Sequence, residues 1–102
     1  MNKFIKDGMV AVLISPGFGA GWYTWNYERP EILFDPGIVD LVDQNMWSEL
    51  ETYVTLKYPE IYKGGMEDLR IVWVPEGTMF KIHEYDGSES IEYKENDHWM
   101  VA

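Results

Sequence analysis

The chain begins with an uninterrupted apolar stretch. Gly8 to Ile14 is rich in β-branched residues and lacks polar alternation, which predicts a buried strand. Pro16-Gly17-Phe18-Gly19-Ala20-Gly21 breaks it. Trp22 to Tyr27 alternates aromatic and polar residues and predicts a second strand or an extended aromatic segment, ended by Glu28-Arg29-Pro30. The apolar spacing then becomes helical. Asp35 is placed to accept the free amides of a first turn, and Pro36 follows at N1, where a missing N–H costs nothing. Phe34 and Val39 have the spacing of a hydrophobic staple. Ile38, Val39, Leu41 and Val42 supply the buried stripe of this first helix.

A second helix is expected from Ser48, with Ser48 and Glu51 at capping-box spacing and Leu50, Tyr53 and Val54 on one face. Tyr58 precedes Pro59, which disfavours helical geometry and ends the helix. Lys63-Gly64-Gly65 turns the chain. Arg70 to Val74 and Met79 to Tyr85 predict strands, separated by the Pro75-to-Thr78 turn. Asp86-Gly87 predicts a hairpin, because both central residues of a type I′ turn need positive φ. A two-residue turn pairs Ile82 with Ile91, Phe80 with Tyr93 and Lys81 with Glu92. It also sets Glu84 opposite Glu89, a mildly destabilising pair that a longer turn would avoid. Trp99 to Val101 is expected to close the sheet. The expectation is one α+β domain over residues 1–102: an antiparallel or mixed sheet of four to five strands, with two short helices inserted between strands two and three.

Composition narrows the function more than the fold. Eighteen acidic against eight basic residues leave a formal charge of −10, a field that repels nucleic acid and anionic membranes and attracts basic protein surfaces. The same acidity also serves plain solubility. With no cysteine, disulfides and thiolate metal sites are excluded. The apolar run at Met9 to Ile14 falls far short of the roughly 20 residues a membrane helix needs. It is also too short for a signal peptide.

The glycine-rich loop is the first candidate for chemistry. Glycines let backbone approach a ligand and present amides to an anion. The loop lacks the Lys-Ser/Thr of a phosphate-binding Walker motif, and its glycine spacing is not the dinucleotide fingerprint. The bland reading is a turn between strands. The sharper one is a ligand site of Ser15, Gly17, Phe18, Gly19, Gly21, Trp22, Tyr23 and Trp25, with aromatic faces for a base and amides for a phosphate. The second candidate is an acidic partner-binding face formed by Glu84, Asp86, Glu89, Glu92, Glu95 and Asp97, whose bland reading is a solvated hairpin. His83 and His98 have no ligand spacing, Asp86 to Glu92 does not match a calcium loop, and Ser15 is not in a nucleophile elbow. No metal, cofactor or catalytic residue is expected.

Three segments carry a resemblance: Val10 to Trp25 (VAVLISPGFGAGWYTW), Phe34-Asp35-Pro36 with Ile38-Val39, and Val74 to Ile91 around the Asp86-Gly87 turn. Across them the chain resembles a group of small accessory proteins of tailed bacteriophages, a group with no assigned activity, so no catalytic residue is carried over. The resemblance implies a counter-defence context in the host cytoplasm. Three readings follow from it. The first is a non-enzymatic sponge, a homo-oligomer that sequesters a nucleotide-derived immune signal. The second is an acidic, DNA-mimicking inhibitor of a basic host protein such as a nuclease or CRISPR effector. The third is a minor virion or assembly component.

Overall fold

A computed structural model describes residues 1–93 and 100–102. Its strands are β1 (Ile5–Lys6), β2 (Met9–Ile14), β3 (Arg70–Pro75), β4 (Met79–Tyr85), β5 (Ser88–Tyr93) and β6 (Met100–Val101); its helices are α1 (Pro36–Asp43) and α2 (Trp47–Lys57). Short 3-10 turns cover Pro30–Leu33 and Met66–Asp68. The domain is α+β, but the strands form two antiparallel sheets rather than one, ordered β1-β2-β3 and β5-β4-β6.

The two-sheet arrangement follows from β2. Ala11 and Leu13 pack with Ile38, Val39, Leu50 and Val54 of the helices. Val10, Val12 and Ile14 pack with Val74, Phe80 and Ile82, joining the second sheet. A strand covered on both faces needs no polar alternation, which is why the run is continuously apolar. The half-buried Tyr23 packs against both clusters.

Local signals place α1 as expected. Asp35 is its N-cap, and Oδ1 accepts from the amides of Gly37 (2.8 Å) and Ile38 (3.2 Å). The staple is not made, because Phe34 packs in the cluster facing the second sheet while Val39 packs among the helices. The Ser48–Glu51 capping box does not form either. The helix starts one residue earlier, at Trp47, with Met46 as an N-cap that makes no side-chain bond. At its other end α2 stops at Lys57, ahead of Tyr58-Pro59.

The β4–β5 hairpin takes the two-residue register: Ile82 faces Ile91, Phe80 faces Tyr93 and Glu84 faces Glu89. Asp86 (φ 49°) and Gly87 (φ 85°) supply the positive torsions. The expected clash of carboxylates is avoided because they turn to different partners. Glu84 accepts from the Gly87 amide at 2.6 Å, while Glu89 is buried under the glycine-rich loop. Met100 and Val101 pair with Phe80 and Met79; Trp99 lies outside the described residues.

The strand or extended segment expected at Trp22 to Tyr27 is absent; the chain there is a series of bends and turns. Its aromatic alternation serves a loop. Trp22 is fully buried and its indole donates to the Ile32 carbonyl at 3.0 Å, while Trp25 and Tyr27 point to solvent. β1 was not anticipated. It pairs with β2 through Asp7-Gly8, a second Asp-Gly turn with positive φ at both residues.

Candidate functional site

The glycine-rich loop is tied to the β4–β5 hairpin. The Glu89 amide donates to the Ser15 carbonyl (2.8 Å), the Gly19 amide to Asp86 O (2.8 Å), and the Ser88 hydroxyl to Pro16 O (2.7 Å). The Glu89 carboxylate completes the clasp. Oε1 accepts from the Ser15 amide at 2.9 Å; Oε2 accepts from the amide and the hydroxyl of Thr24, both at 2.8 Å. At 1% exposure, Glu89 is itself the acceptor for the Ser15 and Thr24 amides. The packing leaves little room: a Cβ on Gly87 would stand 2.3 Å from Gly19 O.

The expected ligand residues therefore divide. Ser15 and Trp22 are buried with no exposed surface, and Gly21 is buried beside Thr24 and Glu89. Gly17 and Tyr23 are half-buried, and burial, then the nearby Glu89 charge, push the Tyr23 hydroxyl above its ordinary value. Phe18, Gly19 and Trp25 are exposed. Trp22 is a core residue, so Trp22→Ala is expected to cost about 3–5 kcal/mol of stability, read by chemical denaturation. Loss of function in that variant would report unfolding. Retention of the wild-type denaturation midpoint would show that the core does not depend on the ring.

The expected acidic face also divides. Glu84, Asp86 and Glu92 are exposed; Glu89 is not available to a partner, because the loop's donors hold it inside. Glu95 and Asp97 lie outside the described residues, as does His98. His83 is exposed, and among the described residues no group of three or more His, Asp or Glu converges as a metal site requires. Nor is any described helix long and apolar enough to cross a membrane.

Two features had no clear sequence signal. One is the set of side chains around Asp35, itself only 3% exposed. Besides capping α1, it accepts from Tyr53 (2.8 Å), Lys57 (2.8 Å) and Tyr58 (2.5 Å). Burial pushes its carboxyl up, but the bonds from Lys57, Tyr58, Tyr53 and the Ile38 amide outweigh that and hold it below the usual carboxylate range. The Lys57 ammonium is pushed up by its bonds to Asp35 and then Tyr53. The Tyr58 hydroxyl is pushed up by burial and then by Asp35. With each Asp35 oxygen already bonded, the network locks the first turn of α1 to the end of α2.

The other is a surface groove of about 340 Å³ between the turns after Trp22 and the segment after α2. Trp25 and Tyr62, both in its lining, stack on each other with centroids 5.3 Å apart and planes at 27°. Both remain about half exposed, at 47% and 53%. Asn26 fixes the two walls: its Nδ2 donates to Trp22 O (2.8 Å) and Tyr62 O (2.7 Å), and its Oδ1 accepts from the Tyr62 amide (2.7 Å). Glu28 and Glu60 line the groove with Arg29. The Arg29 guanidinium pairs with Glu60 and with Glu31 (3.2 Å) and sits over the Tyr58 ring at 5.6 Å. Arg29 is thus already neutralised.

Compared with protein-family models, with curated proteins and with solved structures, the chain gives no match in any of the three.

Proposed function

We propose that the protein acts by binding, without catalysis, and that its partner is a basic protein surface. The observation that carries this reading is the burial of Glu89 in the glycine-rich loop. The amides of Ser15 and Thr24, which an anionic ligand would use, are already engaged by a carboxylate. Sequestration of a nucleotide-derived signal at Ser15 to Trp25 therefore has less support here than the acidic-inhibitor reading. The formal charge is −10, and among the described acids only Asp35 and Glu89 are buried, so the surface favours cationic partners. Combined with the resemblance to phage accessory proteins, this suggests a counter-defence inhibitor of a basic host protein such as a nuclease or CRISPR effector, at work in the host cytoplasm.

Native mass spectrometry after exposure to a lysate of defence-active bacteria tests the choice. The expected result is a stoichiometric complex with a basic protein that dissociates as ionic strength rises, since exposed charges are screened over about 10 Å at 0.1 M salt. A multimer carrying a bound mass of a few hundred daltons per site, with no protein partner, would overturn the proposal and restore the sponge.

A further inference from the structure

Resting on the reading of a basic partner, we infer that the Trp25–Tyr62 groove is where that partner docks, and that the occupant is an arginine side chain of it. Three observations converge on this.

The first is aromatic surface left at a built site. Half-exposed stacked rings offer a flat π face to a planar guanidinium, which prefers such faces to an ammonium's looser contact. The second is charge. Glu28 is exposed, and no ion pair or hydrogen bond to its side chain is found among the described residues; Glu60 already shows that a carboxylate at this rim takes a guanidinium, because it holds Arg29. With Glu60 paired to Arg29, Glu28 is the carboxylate left over in the lining, so the groove is negative, which suits a cation and opposes a phosphate. The nearest lysine in sequence, Lys63, is directed to the Thr55 hydroxyl at 2.7 Å. The third is preorganisation. The three Asn26 bonds set both walls before binding, so docking does not have to order them.

The occupant's chemistry follows. Its guanidinium stacks on the outer face of the Trp25–Tyr62 pair and bonds to the Glu28 carboxylate. A nucleobase would find the rings but meet Glu28 and Glu60 with its phosphate, and a second copy of this acidic chain would bring like charge to the rim.

Titration of the full chain with a short arginine-glycine peptide, followed by NMR, is the test, with the same peptide bearing citrulline for arginine as control. Citrulline keeps the planar shape and removes the charge. The Trp25 indole and Asn26 side-chain amide resonances are expected to shift with the arginine peptide and not with citrulline. Trp25→Ala and Glu28→Gln are each expected to weaken binding roughly three- to ten-fold. Glu49→Gln, exposed in the first turn of α2, should leave it unchanged. If the arginine peptide binds with equal affinity to wild type and Trp25→Ala, the groove is the wrong site while the basic-partner reading stands. Failure to bind any cationic peptide, with the Trp25 signals moved instead by adenosine nucleotides, would sink both. Self-association through these residues, seen by sedimentation and abolished by Trp25→Ala, would replace the arginine with a second copy.

Discussion

Glu89→Ala is expected to lower the unfolding free energy by about 3 kcal/mol, because it strips the acceptor from two backbone amides and a hydroxyl in a buried setting. Burial decides the size of the effect. Each donor left without a partner and away from water costs about 1–3 kcal/mol, whereas the same change at the exposed Glu92 should stay within about 0.5 kcal/mol. Glu89→Gln keeps the volume but offers an NH2 where one oxygen accepted, so it should fall between the two. Urea denaturation gives the free energies. Hydrogen exchange at the Ser15 and Thr24 amides gives the location, and both should lose protection in the alanine variant before global unfolding. Unchanged exchange at these two amides would mean that the clasp does not hold the loop.

Asp35→Ala should be comparably damaging, at about 2–4 kcal/mol. It removes a helix cap worth about 1 kcal/mol and leaves the buried Tyr58 hydroxyl without an acceptor, which adds about 1–3 kcal/mol. The Lys57 pair adds little, since that side chain is 52% exposed and solvent screens it; Lys57→Met should cost less than about 1 kcal/mol. Denaturation of the two variants side by side separates cap and network from ion pair, and a larger loss from Lys57→Met than from Asp35→Ala would reverse this order.

The same cluster sets a pH dependence with two edges. Asp35 titrates below the ordinary carboxylate range when folded, so its contribution is present above about pH 4 and is lost as pH falls through the lower folded value. Tyr58 and Lys57 are raised when folded, so their contributions are complete below about pH 10 and are lost as pH rises toward the higher folded values. In Asp35→Ala both edges should flatten.

What the sequence disclosed was local. Asp35-Pro36 marked the start of α1, and Asp86-Gly87 marked the hairpin, whose two-residue register is one of the two turns the sequence leaves open, because a cap and a tight turn are decided by neighbours in the chain. The second Asp-Gly turn carries no such signal, because the Ile5–Lys6 strand before it is too short to show a strand pattern. Trp22 to Tyr27 misled for a physical reason: its alternation reports one ring inside and others outside, which a turn can satisfy as well as a strand. The candidate site was the least legible part. Glu89 looked like one more hairpin carboxylate, and only a loop 74 residues away in the chain makes it a core group. The groove needs Trp25 beside Tyr62, a proximity created by the Asn26 bonds across 36 residues.

The central position of β2 has a kinetic consequence. Its hairpin with β1 and the β4–β5 hairpin are local and can close in about 1–10 μs. Its pairing with β3, from Met9 opposite Pro75 to Ile14 opposite Arg70, must wait until more than half the chain has been looped back. During that wait the most apolar segment of the protein is uncovered on both faces. Refolding is therefore expected to be limited by docking of β3, and loss to aggregation during that step should rise with protein concentration. A charge introduced at Val12 should relieve the aggregation only at the expense of the native core.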